Sequence, residues 1–287
     1  MDNYEIKKGI KNAFAVFGNP IHHSYSPSIY SLFSYETGIT YPYVCIQTTI
    51  KSFSKTLKQF FDSGGLGANI TLPFKEYALS LCDQLTEVSS LTGTVNTIKK
   101  QNDGSLLGDN TDGIGLITDL KRLNFIYHNS RVLLVGAGGA ARGVIPYLLR
   151  YGCKVTLTNR TFSRALKLIQ SSYKSYCKAG YINALSIENL KAPNYDLIIN
   201  ATSSGIKGQV PLLSTSLISS SVCCYDMFYQ KGDTPFITWG RQNGALHCSD
   251  GLGMLVHQAA MSFLLWHGIL PSVLPVLKIL RRESIYK

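Results

Sequence analysis

Acidic side chains are the first scarcity in this sequence: 17 Asp and Glu stand against 28 Lys and Arg over 287 residues, a formal net charge of +11. Such an excess raises nucleic acid as a partner. The basic residues are scattered, however, without a run of five or more and without interleaved aromatics. No nucleic-acid partner is expected; attraction of small anionic ligands accounts for part of the charge and a solvated surface for the rest. Long apolar runs are missing too. No stretch reaches the roughly 18 residues of a membrane span, and Met1-Asp2-Asn3-Tyr4-Glu5 has no signal-peptide pattern, so no membrane partner is expected. The seven cysteines include no C-x-x-C pair, and an odd count does not close a disulfide framework. A reducing cytoplasm is the expected compartment, and no bound metal is expected. Internal repeats and low-complexity segments are absent. What is present, 45% hydrophobic and 16% charged residues, is ordinary for a globular chain long enough for two modest domains.

The informative stretch is Arg131-Val-Leu-Leu-Val-Gly-Ala-Gly-Gly-Ala-Ala-Arg142. Val132 to Val135 read as a buried parallel strand. Gly136, Gly138 and Ala141 fit G-x-G-x-x-G/A: a tight turn, close approach of backbone to a pyrophosphate, and close helix–strand packing. A helix from Ala140 to Arg150 then aims its N-terminal N–H groups at that phosphate. The next strand, Lys154 to Asn159, ends where an NAD site usually places an acid for the ribose 2′-OH. No acid is there. Asn159-Arg160-Thr161-Phe162-Ser163-Arg164 instead offers two guanidinium groups suited to a 2′-phosphate, so the expected cofactor is NADP. The plainer alternative makes Arg164 a solvated residue on a helix capped by Thr161.

Taken in order, residues 1–12 read as a loose basic extension and Ala13–Phe17 as a first strand. In Ser24-Tyr25-Ser26-Pro27, Ser26 is the expected N-cap of a helix with proline at its first position. The two serines are either ordinary capping residues or a site for a small carboxylate. Strands are expected at Tyr41–Ile46 and Thr94–Ile98, and helices at Phe53–Phe61, Lys75–Ser90 and Ile114–Leu123. Asn69 and Thr71 share one face of a strand, with Ile70 and Leu72 on the other. Pro73 ends that strand and leaves Lys75 on the loop beyond. Asp103-Gly104 signals a hairpin, and Asp112 a helix cap. Further on come a helix at Ser163–Gln170, a strand at Tyr181–Leu185 and a buried strand at Tyr195–Thr202. Val222–Tyr229 is expected to be the last core strand. The helix Met254–His267 is apolar except for His257, Gln258, Ser262 and His267, and a final helix runs from Pro271 to Arg282.

Together these segments resemble the shikimate dehydrogenases. The match runs through Phe17-Gly-Asn-Pro20, Ser24-x-Ser-Pro27, Gly67-Ala-Asn-Ile-Thr-Leu-Pro-Phe-Lys75, Val95-Asn-Thr97 and Gly108-Asp-Asn-Thr-Asp-Gly113. It continues through Gly136-Ala-Gly-Gly-Ala140, Asn159-Arg-Thr-x-x-Arg164, Asn200-Ala-Thr-Ser-Ser-Gly205, Tyr225-Asp-Met-Phe-Tyr229 and Asp250-Gly-Leu-Gly-Met-Leu-Val-x-Gln-Ala-Ala260. The resemblance implies an α/β fold: a Rossmann-type doubly wound NADP-binding domain plus an α/β substrate-binding domain completed by C-terminal helices. The implied division is 1–111 for substrate, 112–251 for NADP, and 252–287 returning to the substrate domain.

It also implies roles. Lys75 and Asp112 are the catalytic acid/base pair. Ser24 and Ser26 hold the substrate carboxylate, while Asn69, Thr71, Lys75, Asn96, Asp112, Tyr229 and Gln258 line the ring hydroxyls. Gly136, Ala137, Gly138, Gly139, Ala140, Asn159, Arg160, Thr161, Arg164, Met227 and Gly251 hold NADP, with Glu87 a weaker carry-over. The implied reaction is reversible NADPH-dependent reduction of 3-dehydroshikimate to shikimate, in a monomer or homodimer. The alternatives are a quinate/shikimate dehydrogenase of broader substrate or NAD use, and a non-enzymatic NADP-binding sensor. Departures from the family pattern are small: His22 where many relatives carry a small residue, and a single proline in Val210-Pro211-Leu212.

Overall fold

The computed structural model describes residues 11–191 and 195–286. The basic extension lies outside the described residues up to residue 10. Contacts divide the chain into two compact units, 1–111 with 258–276 and 112–257 with 277–287.

The first unit contains β1 (Ala13–Gly18), α1 (Ser26–Thr37), β2 (Tyr43–Gln47), α2 (Phe53–Asp62), β3 (Gly65–Ile70), β4 (Gln84–Leu85), α3 (Glu87–Thr92), β5 (Thr97–Lys100) and β6 (Leu106–Asp109). Its mixed sheet has the order β2-β1-β3-β5-β6-β4. The Asp103-Gly104 signal is a hairpin: β5 and β6 pair antiparallel. Alternation along the strands sorts the faces. Ala15, Phe17, Ala68, Ile70 and Ile98 pack on Phe53, Leu57, Phe60 and Phe61 of α2. On the other face Tyr30 of α1 stacks on Tyr43 with centroids 4.2 Å apart, and the Trp266 indole donates to the Ile98 carbonyl at 3.0 Å.

The expected helix over 75–90 is replaced by a short 3₁₀ turn (Tyr77–Leu81), β4 and α3. Tertiary pairing overrides local pattern here. The Asp83 carboxylate accepts the Leu106 N–H at 2.8 Å, Gln84 and Leu85 pair with Leu107 and Gly108, and Thr86 caps α3 by accepting the Ser89 N–H.

The second unit runs α4 (Asp112–Arg122), β7 (Arg131–Val135), α5 (Gly139–Arg150), β8 (Lys154–Thr158), α6 (Phe162–Ser172), α7 (Lys174–Lys178), β9 (Ile182–Ala184), β10 (Leu197–Asn200), β11 (Cys223–Asp226), α8 (Pro235–Gln242) and β12 (His247–Ser249). Two helices follow, α9 (Leu252–His267), whose residues divide between the units at 257/258, and α10 (Val273–Tyr286). The sheet is wholly parallel, ordered β12-β11-β10-β7-β8-β9. Counted from β7, that is the doubly wound Rossmann order, as expected. Both faces are buried: Val132 and Leu134 join Val144, Ile145 and Leu148 of α5, while Leu133 and Val135 join Ile198, Phe236 and Ile237. β11 is not the last core strand. β12 pairs beyond it, three residues too short to show in the pattern, and α8 leads into it.

Candidate functional site

In the second unit the sheet reverses its winding between β7 and β10, and the C-terminal ends of those strands mark the ligand crevice. Gly136 follows β7 at φ +118°, a conformation for glycine, and a Cβ there would stand 2.9 Å from the Ala201 carbonyl oxygen after β10. Gly138 is the opposite case. A Cβ there would meet nothing within 4 Å, and Gly138 is the N-cap of α5 with no side-chain cap bond. An unobstructed helix start beyond a tight glycine turn suits a phosphate. Ala137, Gly139 and Ala140 complete the turn.

β8 pairs beside β7 and ends at Thr158, so Asn159 and Arg160 emerge next to the glycine turn. The Asn159 amide donates to the Thr161 carbonyl at 2.9 Å and closes the bend. Thr161 is the N-cap of α6, yet its side chain makes no cap bond, unlike the capping in the plainer alternative. Arg160 and Arg164 are exposed and have no ion pair among the described residues. Buried polar atoms nearby, Thr158 Oγ1 and Arg142 Nε, have no hydrogen-bond partner among the described residues. The turn, the open helix start and the two arginines fit a dinucleotide bearing an additional phosphate.

Two neighbouring strand ends organise the loops on the same sheet edge. Asn200 and Asp226 are register partners, and the Asn200 amide donates to Asp226 Oδ1 at 2.9 Å. Asn200 Oδ1 accepts from the Thr202 hydroxyl at 2.7 Å. Asp226 also accepts from the Phe228 N–H at 3.1 Å and the Thr234 hydroxyl at 2.6 Å. Met227 follows, and the Gly251 N–H donates to the Phe228 carbonyl at 3.1 Å. A Cβ on Gly251 would run into the Met227 carbonyl, so only glycine fits this crossing. Burial pushes the Asp226 carboxyl up to about 6, against the three hydrogen bonds that favour its anion. A raised carboxyl stabilises the fold below its unfolded value of 3.8, and that contribution is lost as the pH climbs through about 6. Wild type should therefore lose up to about 3 kcal/mol relative to Asp226→Asn between about pH 4 and about pH 7. Urea midpoints across that range check it; parallel curves for the two proteins would refute the assignment.

In the first unit the expected substrate residues are mostly polar groups under cover. Asn69, on β3, is the centre. Its Oδ1 accepts from the hydroxyls of Tyr30 at 2.9 Å and Tyr43 at 2.7 Å, and its Nδ2 donates to Ser262 Oγ at 3.1 Å. Asn96 lies alongside, 2% exposed, its Nδ2 reaching Gln258 Oε1 at 3.3 Å. Asn69, Asn96 and Gln258 are thus brought into one network. Thr71 flanks it: its N–H donates to the Phe17 carbonyl at 2.9 Å, at the end of β1. Lys75 stands four residues on in a loop fixed by its neighbour, for Phe74 is fully buried and stacks on Phe53 with centroids 4.4 Å apart. The Lys75 carbonyl accepts the Val95 N–H at 2.9 Å, one residue before Asn96.

Ser26 is not the N-cap expected of it; Tyr25 holds that position. Ser26 is the first residue of α1, and its N–H donates to Ser24 Oγ at 3.2 Å. Ser24 therefore satisfies a free N–H of the helix start, with Pro27 at the first turn as expected. Asp112 opens α4 and is 3% exposed. Glu87 is exposed in the first turn of α3, and Tyr229 and Met227 are half-buried after β11. The hydroxyls of Thr97, Thr111 and Ser262 were not singled out from the sequence as site residues; the signals were Thr97 and Thr111 inside quoted motifs and Ser262 as a polar residue one turn beyond Gln258 on an apolar helix.

Comparison with known proteins matches three stretches of the chain to one family. The profile described as shikimate dehydrogenase substrate binding domain matches residues 16–98, that of shikimate / quinate 5-dehydrogenase residues 120–217, and that of the shikimate 5′-dehydrogenase C-terminal domain residues 251–281. Among solved structures, an enzyme from Pseudomonas putida is 34% identical, with a TM-score of 0.85 over 94% of this chain and 98% of that one. Shikimate 5-dehydrogenase from Thermus thermophilus, in complex with NADP(H) and shikimate, is 31% identical, with a TM-score of 0.82 over 95% of this chain and 99% of that one. The enzyme from Listeria monocytogenes, in complex with shikimate and NAD, is 25% identical, with a TM-score of 0.81 over 95% and 97%.

Proposed function

The chain belongs to the shikimate dehydrogenase family, and from that membership we propose that it catalyses the reversible, NADPH-dependent reduction of 3-dehydroshikimate to shikimate. The observation that carries the cofactor half of this reading is the edge of the second sheet. There the Gly136 turn and the open start of α5 lie beside a strand followed by Asn159-Arg160 and not by an acid. Gly136 to Ala140 would hold the pyrophosphate, and Arg160 and Arg164 with Asn159 and Thr161 the 2′-phosphate. Met227 and Gly251 would border the nicotinamide end. NADPH, when bound, supplies the hydride.

The substrate half rests on the polar groups of the first unit. Ser24 and Ser26 would take the carboxylate at the start of α1, where backbone N–H groups and hydroxyls favour an anion. Asn69, Thr71, Asn96, Gln258 and Tyr229 would hold ring hydroxyls. Lys75 is the proposed proton donor. As the ketone oxygen becomes an alkoxide, an ammonium stabilises the growing charge and delivers the proton that completes the alcohol. Asp112 would orient that ammonium and hold the same hydroxyl, and in the reverse direction Lys75 would take the proton back. Among the described residues no helix is long and apolar enough to cross a membrane. All seven cysteines are free of disulfides, which supports a reducing cytoplasm as the compartment.

The test is nicotinamide absorbance with purified protein, shikimate or quinate, and NADP or NAD. Shikimate with NADP should give the highest kcat/KM of the four combinations. A higher value with quinate or with NAD would move the chain to the broader quinate/shikimate class, and no reduction with any pair would leave only a binding role.

A further inference from the structure

The carboxamides of Asn96 and Gln258 do not orient themselves. The Thr111 backbone N–H can only donate, and it meets Asn96 Oδ1 at 2.8 Å. The Thr97 hydroxyl donates to the same oxygen at 2.8 Å. With that end of Asn96 committed, its Nδ2 is turned to Thr111 Oγ1 at 3.0 Å and Gln258 Oε1 at 3.3 Å. The one proton of the Thr111 hydroxyl has two carboxamide oxygens in reach, Asn96 Oδ1 at 3.2 Å and Gln258 Oε1 at 3.3 Å; with Asn96 Oδ1 already taken by two donors, it goes to Gln258. Polarity therefore runs one way, from a backbone donor through Asn96 to the oxygen of Gln258, and makes Nε2 the other end of that side chain.

Behind this pair the hydroxyls interlock. Ser262 Oγ lies 2.7 Å from Thr97 Oγ1 and 3.3 Å from Thr111 Oγ1, and it accepts from Asn69 Nδ2 at 3.1 Å. Ser262 is fully buried and Thr111 is 3% exposed, so water does not substitute freely for any of these contacts.

We propose that Thr111 is a positioning residue for substrate. Its backbone N–H sets Asn96, and its hydroxyl, held by Thr97 and Ser262, accepts from Asn96 and secures the oxygen of Gln258, so that Gln258 presents an N–H donor to an accepting oxygen of the ligand. The ligand class is set by that donor: a hydroxyl or carbonyl oxygen that accepts is recognised, and a group with only donors to offer is refused. The proposal rests on the shikimate dehydrogenase reading for the identity of that ligand, but not for the polarity itself.

Thr111→Val keeps the branched shape and the backbone N–H and removes the hydroxyl that both amides use. It should raise KM for shikimate about three- to tenfold, with KM for NADP unmoved and kcat altered by less than about twofold. Thr111→Ser restores the hydroxyl and should bring KM back. Ser262→Ala should shift KM in the same direction by a smaller factor. The independent readout is solvent exchange of the Asn96 side-chain amide protons, seen in ¹⁵N-labelled protein and assigned by their loss in Asn96→Asp; exchange should be slow in wild type and faster in Thr111→Val. An active Thr111→Val enzyme with wild-type KM, unchanged amide exchange, or a Ser variant that behaves like Val would overturn the proposal. Faster exchange in Thr111→Val beside a wild type inert toward shikimate would support the polarity relay while removing shikimate as its ligand.

Discussion

Replacing Lys75 by Ala should leave a folded protein that binds NADPH and shikimate and turns over roughly 10²–10⁴-fold more slowly. The stability half of the expectation comes from where Lys75 sits. It is half-buried, its backbone carbonyl holds the Val95 N–H, and the loop is anchored by the Phe74 ring on Phe53, all of which survive truncation. The backbone and aromatic contacts that hold this loop remain, so the variant should still fold. The rate half comes from chemistry. A cation that also supplies the proton acts when charge appears on the oxygen, so kcat should fall far more than substrate affinity. Asp112→Asn keeps shape and loses charge. If the two act as a unit, the double variant should be little worse than the more damaging single one. Equilibrium binding and single-turnover rates separate the two halves. Wild-type turnover in Lys75→Ala would remove it from the mechanism; loss of folding would make it structural.

What the sequence disclosed followed from local signals. The run Val132–Val135, the glycines after it and the helix beyond all lie within a few residues of one another, so strand, turn and helix could be read without knowing any neighbour. The same is true of the hairpin at Asp103-Gly104. Where pairing partners are distant, local pattern misled: residues 75–90 have helical character, but Gln84 and Leu85 are held by β6. The Thr234-Pro235 start of α8 carried a cap signal, with the Thr234 hydroxyl accepting the Ile237 N–H at 3.3 Å, and it went unread beside the stronger strand before it.

The candidate site divides the same way. Arg160 stood out by type and spacing, whereas Lys75 and Asn96 gained their roles only from the family resemblance. The hydroxyls around Asn96 did not stand out, because Thr97 and Ser262 meet across 165 positions of sequence and a buried serine on an apolar helix has no local mark. Ser26 illustrates a nearer failure. Ser-Pro is a sound helix-start signal, but the helix begins one residue earlier than expected: Tyr25 is the N-cap, Ser26 is already helical, and the hydroxyl of Ser24 reaches the N–H of Ser26.

The arginines after β8 give the second large effect, because nothing in the fold uses them. Arg160 and Arg164 are exposed and have no ion pair among the described residues, so truncation should change stability by no more than about 0.5 kcal/mol. Any loss of affinity then reports on the ligand. Arg160→Ala should weaken NADP binding by roughly 1.5–3 kcal/mol, the value of a hydrogen bond between charged partners, which is about a ten- to 150-fold rise in Kd. NAD has no 2′-phosphate and should bind the variant nearly as it binds wild type. With Arg164 also replaced, the preference for NADP should shrink further if both guanidinium groups meet the same phosphate. The loss should be steeper at low ionic strength, where exposed charges act over the longest range. The Gly136 turn and the start of α5 are untouched by either change, so binding of the pyrophosphate common to both cofactors is the internal control. Titration of each cofactor into each variant measures the difference directly, and equal losses for NADP and NAD would mean that these arginines shape the turn and do not read the phosphate.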